Sequence, residues 1–285
     1  MTQCHLIAGI ILGSALAPTA FACSDFDLIA EPRASEGYNP NSQVPINMQI
    51  ELSLIDGPAE AECVSHVLEI NSRTTTRVRD LSNGQAAIAG KAPSNQQNMS
   101  TYTGATIQLS NRAMTELVAT GRLVFDYALI PPGGFHSPGT YSNILDIQLN
   151  GETIATLEPE LEVFPAIRLL GDVSNGHGNL DFGTLESFDQ VSANFLYQSN
   201  SRISVTAQSY NSGALVHEDG AGTSLIPYSA FINNQAIYPD GVQSLELASV
   251  SGRRNMGSIR LQLGDIGSPV AGDYSDVLTL SFSTD

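Results

Sequence analysis

The segment SPGTYSNILDIQLNG (137–151) returns as VAGDYSDVLTLSFST (270–284), and this repetition restricts the possible folds more than any other feature of the chain. Gly139 matches Gly272, Tyr141 matches Tyr274, Ser142 matches Ser275 and Leu145 matches Leu278, each pair 133 residues apart. The preceding segments correspond too, GRLVFDYALI (121–130) with GSIRLQLGDI (257–266), each a strand-like run followed by a loop of Gly, Pro or Ser. Ordered correspondence over two strands, at a spacing of one domain length, predicts two β domains in tandem. In the second copy Tyr274, Leu278, Leu280 and Phe282 alternate with polar residues, the period-2 pattern of a half-buried strand.

Strand-like runs fill both halves. The first half has INMQIELSLI (46–55), CVSHVLEI (63–70) and GATIQLS (104–110); the second has VSANFLY (191–197), RISVTAQS (202–209), SLIPYSAFI (224–232) and VQSLELASV (242–250). Turn clusters such as DVSNGHGN (172–179) separate them. TELVAT (115–120) reads as a helical turn, and no other segment reads as a long helix. Short strands at this spacing, in a chain with 25 Gly and only 14 % charged residues, predict an all-β protein of two tandem immunoglobulin-like sandwiches.

The two halves differ beyond the matching strand. Eleven residues remain after Tyr274, enough for the strand itself. After the first copy the chain continues through NGETIATLEPELEVFP, where Asn150-Gly151 is a two-residue hairpin turn, both positions tolerating φ > 0. Beyond it Ala155, Leu157, Leu161 and Val163 alternate with Thr156, Glu158, Glu160 and Glu162, with Pro159 marking an edge or bulge. The first domain therefore has a last strand, in cis, that the second lacks. The expectation is an incomplete C-terminal sandwich with an apolar groove and open backbone groups along one edge. Such an edge invites aggregation and is relieved by a strand from another chain.

At the N-terminus an apolar stretch from Leu6 is broken by Pro18 and ends in Ala20-Phe21-Ala22, the pattern of a secretory signal (1–22) cut after Ala22. No Lys or Arg precedes the run, only His5. A membrane anchor is the rival reading, against which the stretch is short, and a lipoprotein acylated at Cys23 fits the preceding residues poorly. After export Cys23 and Cys63 remain, and in an oxidising compartment two such cysteines most often pair. The loop closed would contribute roughly 4 kcal/mol in the chain-entropy view. Two free thiols are the alternative.

A formal charge of −17, with 12 Lys and Arg scattered singly, disfavours nucleic acid. The four histidines after the signal, His66, His136, His177 and His217, have no metal-ligand spacing, and two cysteines alone do not make a zinc site. No G-x-S-x-G elbow, phosphate loop or catalytic-cysteine context is present, so the expectation is no enzyme, no cofactor and no metal. Asp172, Asp181, Glu218 and Asp219 lie in turn-like segments and read as solvated carboxylates before a calcium site.

AGDYSDVLTLSFST, LDFGTL (180–185) and SNSRISVTAQSYNSGAL (199–215) followed by IPYSAFINNQ (226–235) resemble the spore coat protein U domain family, the pilins of archaic (Csu-type) chaperone–usher pili. The likeness covers nearly all of 165–285, with only GTYSNIL echoing it in the first half. It implies a periplasmic chaperone, an outer-membrane usher and a neighbouring pilin subunit as partners, the last supplying a donor strand at a groove edge built from Tyr274, Leu278, Leu280 and Phe282. With the mature start at Cys23 no extension is left to donate, which points to a two-domain tip adhesin at the cell surface: an N-terminal adhesin domain (23–164) and a C-terminal pilin domain (165–285). A minor shaft pilin and a free-standing secreted carbohydrate-binding protein are the alternatives. Strand direction places the loops 55–62, 111–121 and 149–152 at the far end, where the resemblance implies apolar fingers; Ile55, Pro58, Met114, Leu117 and Val118 are the candidates, and ordinary core or helix-packing residues are the alternative for each of them. Phe135 and His136, in ALIPPGGFHSPG, fall at the opposite end and read as interdomain packing or a rigid turn rather than a receptor site.

Overall fold

The computed structural model describes residues 26–33, 37–94, 97–102, 104–171, 175–220, 222, 224–250 and 252–284. The expected signal and its cleavage site, Cys23 and Asp172 lie outside the described residues.

In the first half the strands are β1 (Leu28–Arg33), β2 (Ile46–Leu54), β3 (Leu68–Ser72), β4 (Leu81–Ser82), β5 (Ala87–Ile88), β6 (Met99–Tyr102) and β7 (Thr106–Leu109). Helix α1 (Asn111–Thr120) leads into β8 (Arg122–Ile130), β9 (Gly139–Ser142), β10 (Leu145–Leu149), β11 (Glu152–Leu157) and β12 (Glu160–Val163). They form three sheets, ordered β1-β2-β8, β11-β10-β3-β7-β6 and β12-β9-β4-β5. Alternating apolar residues such as Ile50, Leu52, Leu68, Ile70, Leu123, Leu145 and Ile147 enclose one core, which we call that of the first lobe.

The second half contains β13 (Ile167–Leu170), β14 (Gln190–Ser199), β15 (Ile203–Ser209), β16 (Ala214–His217), β17 (Leu225–Ile232), β18 (Gln235–Ile237), β19 (Asp240–Leu247), β20 (Arg254–Leu263), β21 (Tyr274–Ser275) and β22 (Leu278–Thr284). One sheet runs β13-β14-β20-β17-β16-β21, with β18 on β17, and the other is β19-β15-β22. A separate core, including Tyr197, Ile203, Val205, Ile226 and Leu263, lies between them in this second lobe. All named pairings are antiparallel, as expected of an all-β chain joined by short turns.

The sequence repeat is a repeat of topology. β1 pairs β2 as β13 pairs β14, β2 pairs β8 as β14 pairs β20, and β10 pairs β3 as β22 pairs β15. Side-chain bonds recur at matching places in the two lobes. Tyr141 donates its hydroxyl to the Ser137 carbonyl at 3.0 Å, and Tyr274 to the Val270 carbonyl at 2.9 Å. Ser72 Oγ donates to Asn143 Oδ1 at 2.8 Å, and Ser209 Oγ to Asp276 Oδ2 at 2.6 Å.

The expected helical turn at 115–120 is the end of a longer helix. Ser110 caps its start by accepting from the Ala113 amide at 3.2 Å, and Gly121, at φ 73°, ends it by donating to the Leu117 carbonyl at 2.8 Å. Gly121 is also fixed by space, since a Cβ there would lie 2.9 Å from the Gly57 carbonyl carbon. That contact holds the 55–59 loop against the helix end, with the Ala59 amide donating to the Val118 carbonyl at 2.9 Å.

The lobes meet where the first lobe's β8–β9 loop reaches the start of the second. Asn200 Nδ2 donates to the carbonyls of His136 (2.8 Å) and Phe164 (2.9 Å), while its Oδ1 accepts from the Ala166 amide (2.7 Å). The Arg168 guanidinium sits 4.9 Å from the centre of the buried Phe135 ring. Burial holds the His136 imidazole below its ordinary pKa.

Candidate functional site

The outward edge of β22 is where the two lobes diverge. In the first lobe β10 lies between β3 and β11, and β12 continues along β9, with Leu157 opposite Leu145, Ala155 opposite Ile147 and Leu161 opposite Tyr141. Between Leu157 and Glu160 the strand is interrupted at Pro159, which cannot donate to a ladder and whose carbonyl accepts from the Asn143 amide at 3.3 Å. Leu157, Leu161 and Val163 are buried and Ala155 half-buried, while Thr156, Glu158, Glu160 and Glu162 are exposed. β11 also packs against β1, bridging the two sheets.

In the second lobe β22 pairs with β15 and, among the described residues, with no other strand. β13, the counterpart of β1, approaches β22 with no strand between them. Matched side chains measure the difference. Tyr141, Leu145 and Ile147 are fully buried, whereas their counterparts Tyr274, Leu278 and Leu280 are half-buried. Phe282 is half-buried as well, its ring 5.7 Å from that of Phe195 in an edge-on contact. These residues pack on the lobe's core from its rim, together with Ile167 and Leu169 of β13 and Val191 of β14. The result is a row of half-buried apolar side chains along a strand edge whose alternate amides and carbonyls point outward.

Side-chain bonds tie the corner between β21 and β22 together. Asp276 accepts from Ser209 Oγ, from the Asn211 amide at 3.0 Å and from the Tyr228 hydroxyl. Burial, and then the Asp276 carboxylate, push the Tyr228 hydroxyl well above its ordinary pKa, so it stays a donor at any physiological pH. Tyr274 stacks edge-on against His217, ring centres 5.1 Å apart. The lower border of the open edge is thus held by charge-assisted bonds rather than by a loose loop.

At the far end of the first lobe, the 55–59 loop packs on α1 and the 149–152 turn binds the residues before β3. The Asn150 amide donates to the Val67 carbonyl at 2.8 Å, and Asn150 Oδ1 accepts from the Val67 amide at 3.0 Å. Asn150 and Gly151 both have positive φ, 52° and 89°, as a tight hairpin turn requires. The expected apolar fingers, however, need correction. Met114, Leu117 and Val118 are buried in the core and unavailable to a ligand. Together with Ala113 they occupy i, i+1, i+4 and i+5 on α1, a single face of a 3.6-residue period, so the helix turns all four inward. Its outer face carries Arg112, Thr115 and Glu116. Ile55 (58 % exposed) and Pro58 do face solvent, and Val67, not among the expected fingers, joins them. Cys63 is buried on the short 3₁₀ helix Ala61–Ser65. Among the described residues no group of three His, Cys, Asp or Glu is placed to hold a metal ion.

No family model matches the chain, and no curated protein matches it. Among solved structures the chain is similar to one in the CsuC–CsuE chaperone–tip adhesion subunit pre-assembly complex of Acinetobacter baumannii. The identity is 14 %, the TM-score 0.42, and the match covers 83 % of this chain and 91 % of that one. It is also similar to the CupB6 tip adhesin of Pseudomonas aeruginosa (11 % identity, TM-score 0.32, 91 % and 95 % covered). A third is CfaE, the adhesive subunit of CFA/I fimbria of enterotoxigenic Escherichia coli (12 % identity, TM-score 0.33, 91 % and 78 % covered).

Proposed function

We propose that the chain is an exported subunit of a chaperone–usher pilus, mounted at the fibre end. The second lobe accepts a donor strand from the next subunit and the first lobe makes the adhesive contact. One observation carries this reading: side chains matched at a spacing of 133 residues are sealed in the first lobe by β11 and β12, and stand half-buried in the second. A strand laid along β22 as β11 lies along β10 would cover Leu278 and Leu280 and satisfy the outward amides and carbonyls. The same exposed edge, during export, is what a periplasmic chaperone would shield before the usher passes the subunit on.

The end position is supported by the first lobe, which is complete with its own β11–β12 and whose β1 is already paired with β2. Its first described strand is therefore engaged in its own sheet rather than offered outward. We assign Cys63 a disulfide with Cys23, anchoring the segment before β1 near the distal loops. Ile55 and Pro58, with Val67, are the apolar contacts offered at that end.

The test is a Leu280→Asp variant expressed with its chaperone and usher. A charge at this edge has no partner there, and fibres should carry less than about a tenth of the wild-type amount of this chain, by immunogold or quantitative blotting. Incorporation at the wild-type level, or labelling spread evenly along fibres, would contradict the assignment.

A further inference from the structure

Phe188, Tyr210, Tyr238, Val242, Val270 and Val277, between 46 % and 85 % exposed, gather at the end of the second lobe away from the first. Backbone bonds bring their segments together. The Tyr210 amide donates to the Val277 carbonyl at 2.9 Å, the Ser209 amide to the Pro239 carbonyl at 3.0 Å, and the Phe188 amide to the Gly264 carbonyl at 3.2 Å. Phe188 is held at φ 67°, a backbone conformation that costs an aromatic residue about 1 kcal/mol or more. Exposed apolar side chains collected at one end, with Phe188 kept in place against local backbone preference, are the mark of a contact surface.

The first lobe indicates what covers it. Its corresponding end, at the β8–β9 loop, is sealed by the start of the second lobe through Phe135, His136, Asn200 and Arg168. Val270 is the counterpart of Ser137 in that loop, with the same tyrosine bond to its carbonyl. Direction adds to this. β11–β12 runs antiparallel to β9–β10 and leaves the first lobe at the joint. A strand of that polarity along β21–β22 leaves the second lobe beside Val270 and Val277.

We propose that this end is a docking face for the folded body of the subunit whose strand pairs with the open edge of β22, repeating between chains the joint that links the two lobes within this one. The inference rests on the strand-acceptor reading, and its test separates the two. The probes are the pilin next to this chain in isolated fibres and a synthetic peptide copying that pilin's N-terminal extension. Each is bound to the full chain and to its Tyr210→Ser/Tyr238→Ser/Val242→Ser variant, none of whose changed side chains borders that edge. The peptide should bind both chains alike, within about twofold, while the whole pilin dissociates from the variant about tenfold faster. Equal dissociation of the whole pilin would overturn the docking face. So would a variant that assembles normally but no longer attaches to plastic, since the patch would then be the adhesive surface. A peptide that fails to bind the unaltered chain would instead overturn the strand-acceptor reading, and the docking face with it.

Discussion

Appending a second copy of residues 150–164 to the C-terminus through a short flexible linker raises the melting temperature of the second lobe and leaves the first unchanged. The added segment already fits one such edge in this molecule, with Leu157 opposite Leu145, the counterpart of Leu278. Laid along β22 it completes the burial of Tyr274, Leu278, Leu280 and Phe282, all half-buried without it. If the net gain is roughly 3 kcal/mol, the size of one or two fully buried aliphatic side chains, the calorimetric transition of this lobe moves up by about 10–15 °C. The control is the same segment with Leu157 and Leu161 both changed to Asp. It closes the same loop and carries the same backbone, but its charges cannot pack on these apolar side chains, and it gives no shift. Equal shifts from both segments would mean that tethering, and not strand insertion, was responsible.

The second large effect comes from a matched pair of substitutions. Ile147 and Leu280 stand 133 residues apart on equivalent strands, opposite Ile70 and Ala207. Ile147 is fully buried, with β3 and β11 on either side, so Ile147→Asp places an unpaired charge in a closed core and costs more than about 4 kcal/mol. The first lobe of that variant is expected to lose its cooperative transition. Leu280→Asp leaves the carboxylate within reach of water at the open edge, and costs the free chain only about 1–2 kcal/mol. Equal losses in urea titrations would show that β22 is as enclosed as β10.

The tandem arrangement and the difference between the lobes are legible in the sequence because strand periodicity is local. Gly139 and Gly272, Tyr141 and Tyr274 mark the same turn and the same strand, and the alternation from Ala155 to Val163 reports a buried face directly. The distal loops fall at one end as expected, since antiparallel strands joined by tight turns fix direction. Their side chains do not all face outward. Reading 111–121 as a distal loop makes Met114, Leu117 and Val118 candidate fingers, although the spacing 113, 114, 117, 118 carries the helical period that turns them inward. The second-lobe patch is invisible in the sequence for another reason. Phe188, Tyr210, Tyr238 and Val277 lie in four loops far apart in sequence, and only the closing of the sandwich brings them to one end. The joint lies between these cases. Phe135 and His136 are expected near the second lobe, but nothing in the sequence singles out Asn200, whose side chain bonds three backbone groups at it, those of His136 and Phe164 in the first lobe and Ala166 in its own.

Hydrogen exchange along β22 in the full-length chain tests the open edge most directly. In an antiparallel pair alternate amides point toward the partner strand and away from it, so about half of those between Leu278 and Thr284 face outward. With the chain alone these amides should exchange nearly as fast as in an unstructured peptide, while those of Leu145–Leu149, flanked by β3 and β11, stay protected. Adding a donor peptide should slow the outward β22 amides by about a hundredfold or more and leave β10 unchanged. If β22 and β10 are equally protected before any peptide is added, the edge is already occupied and the strand-acceptor account is wrong.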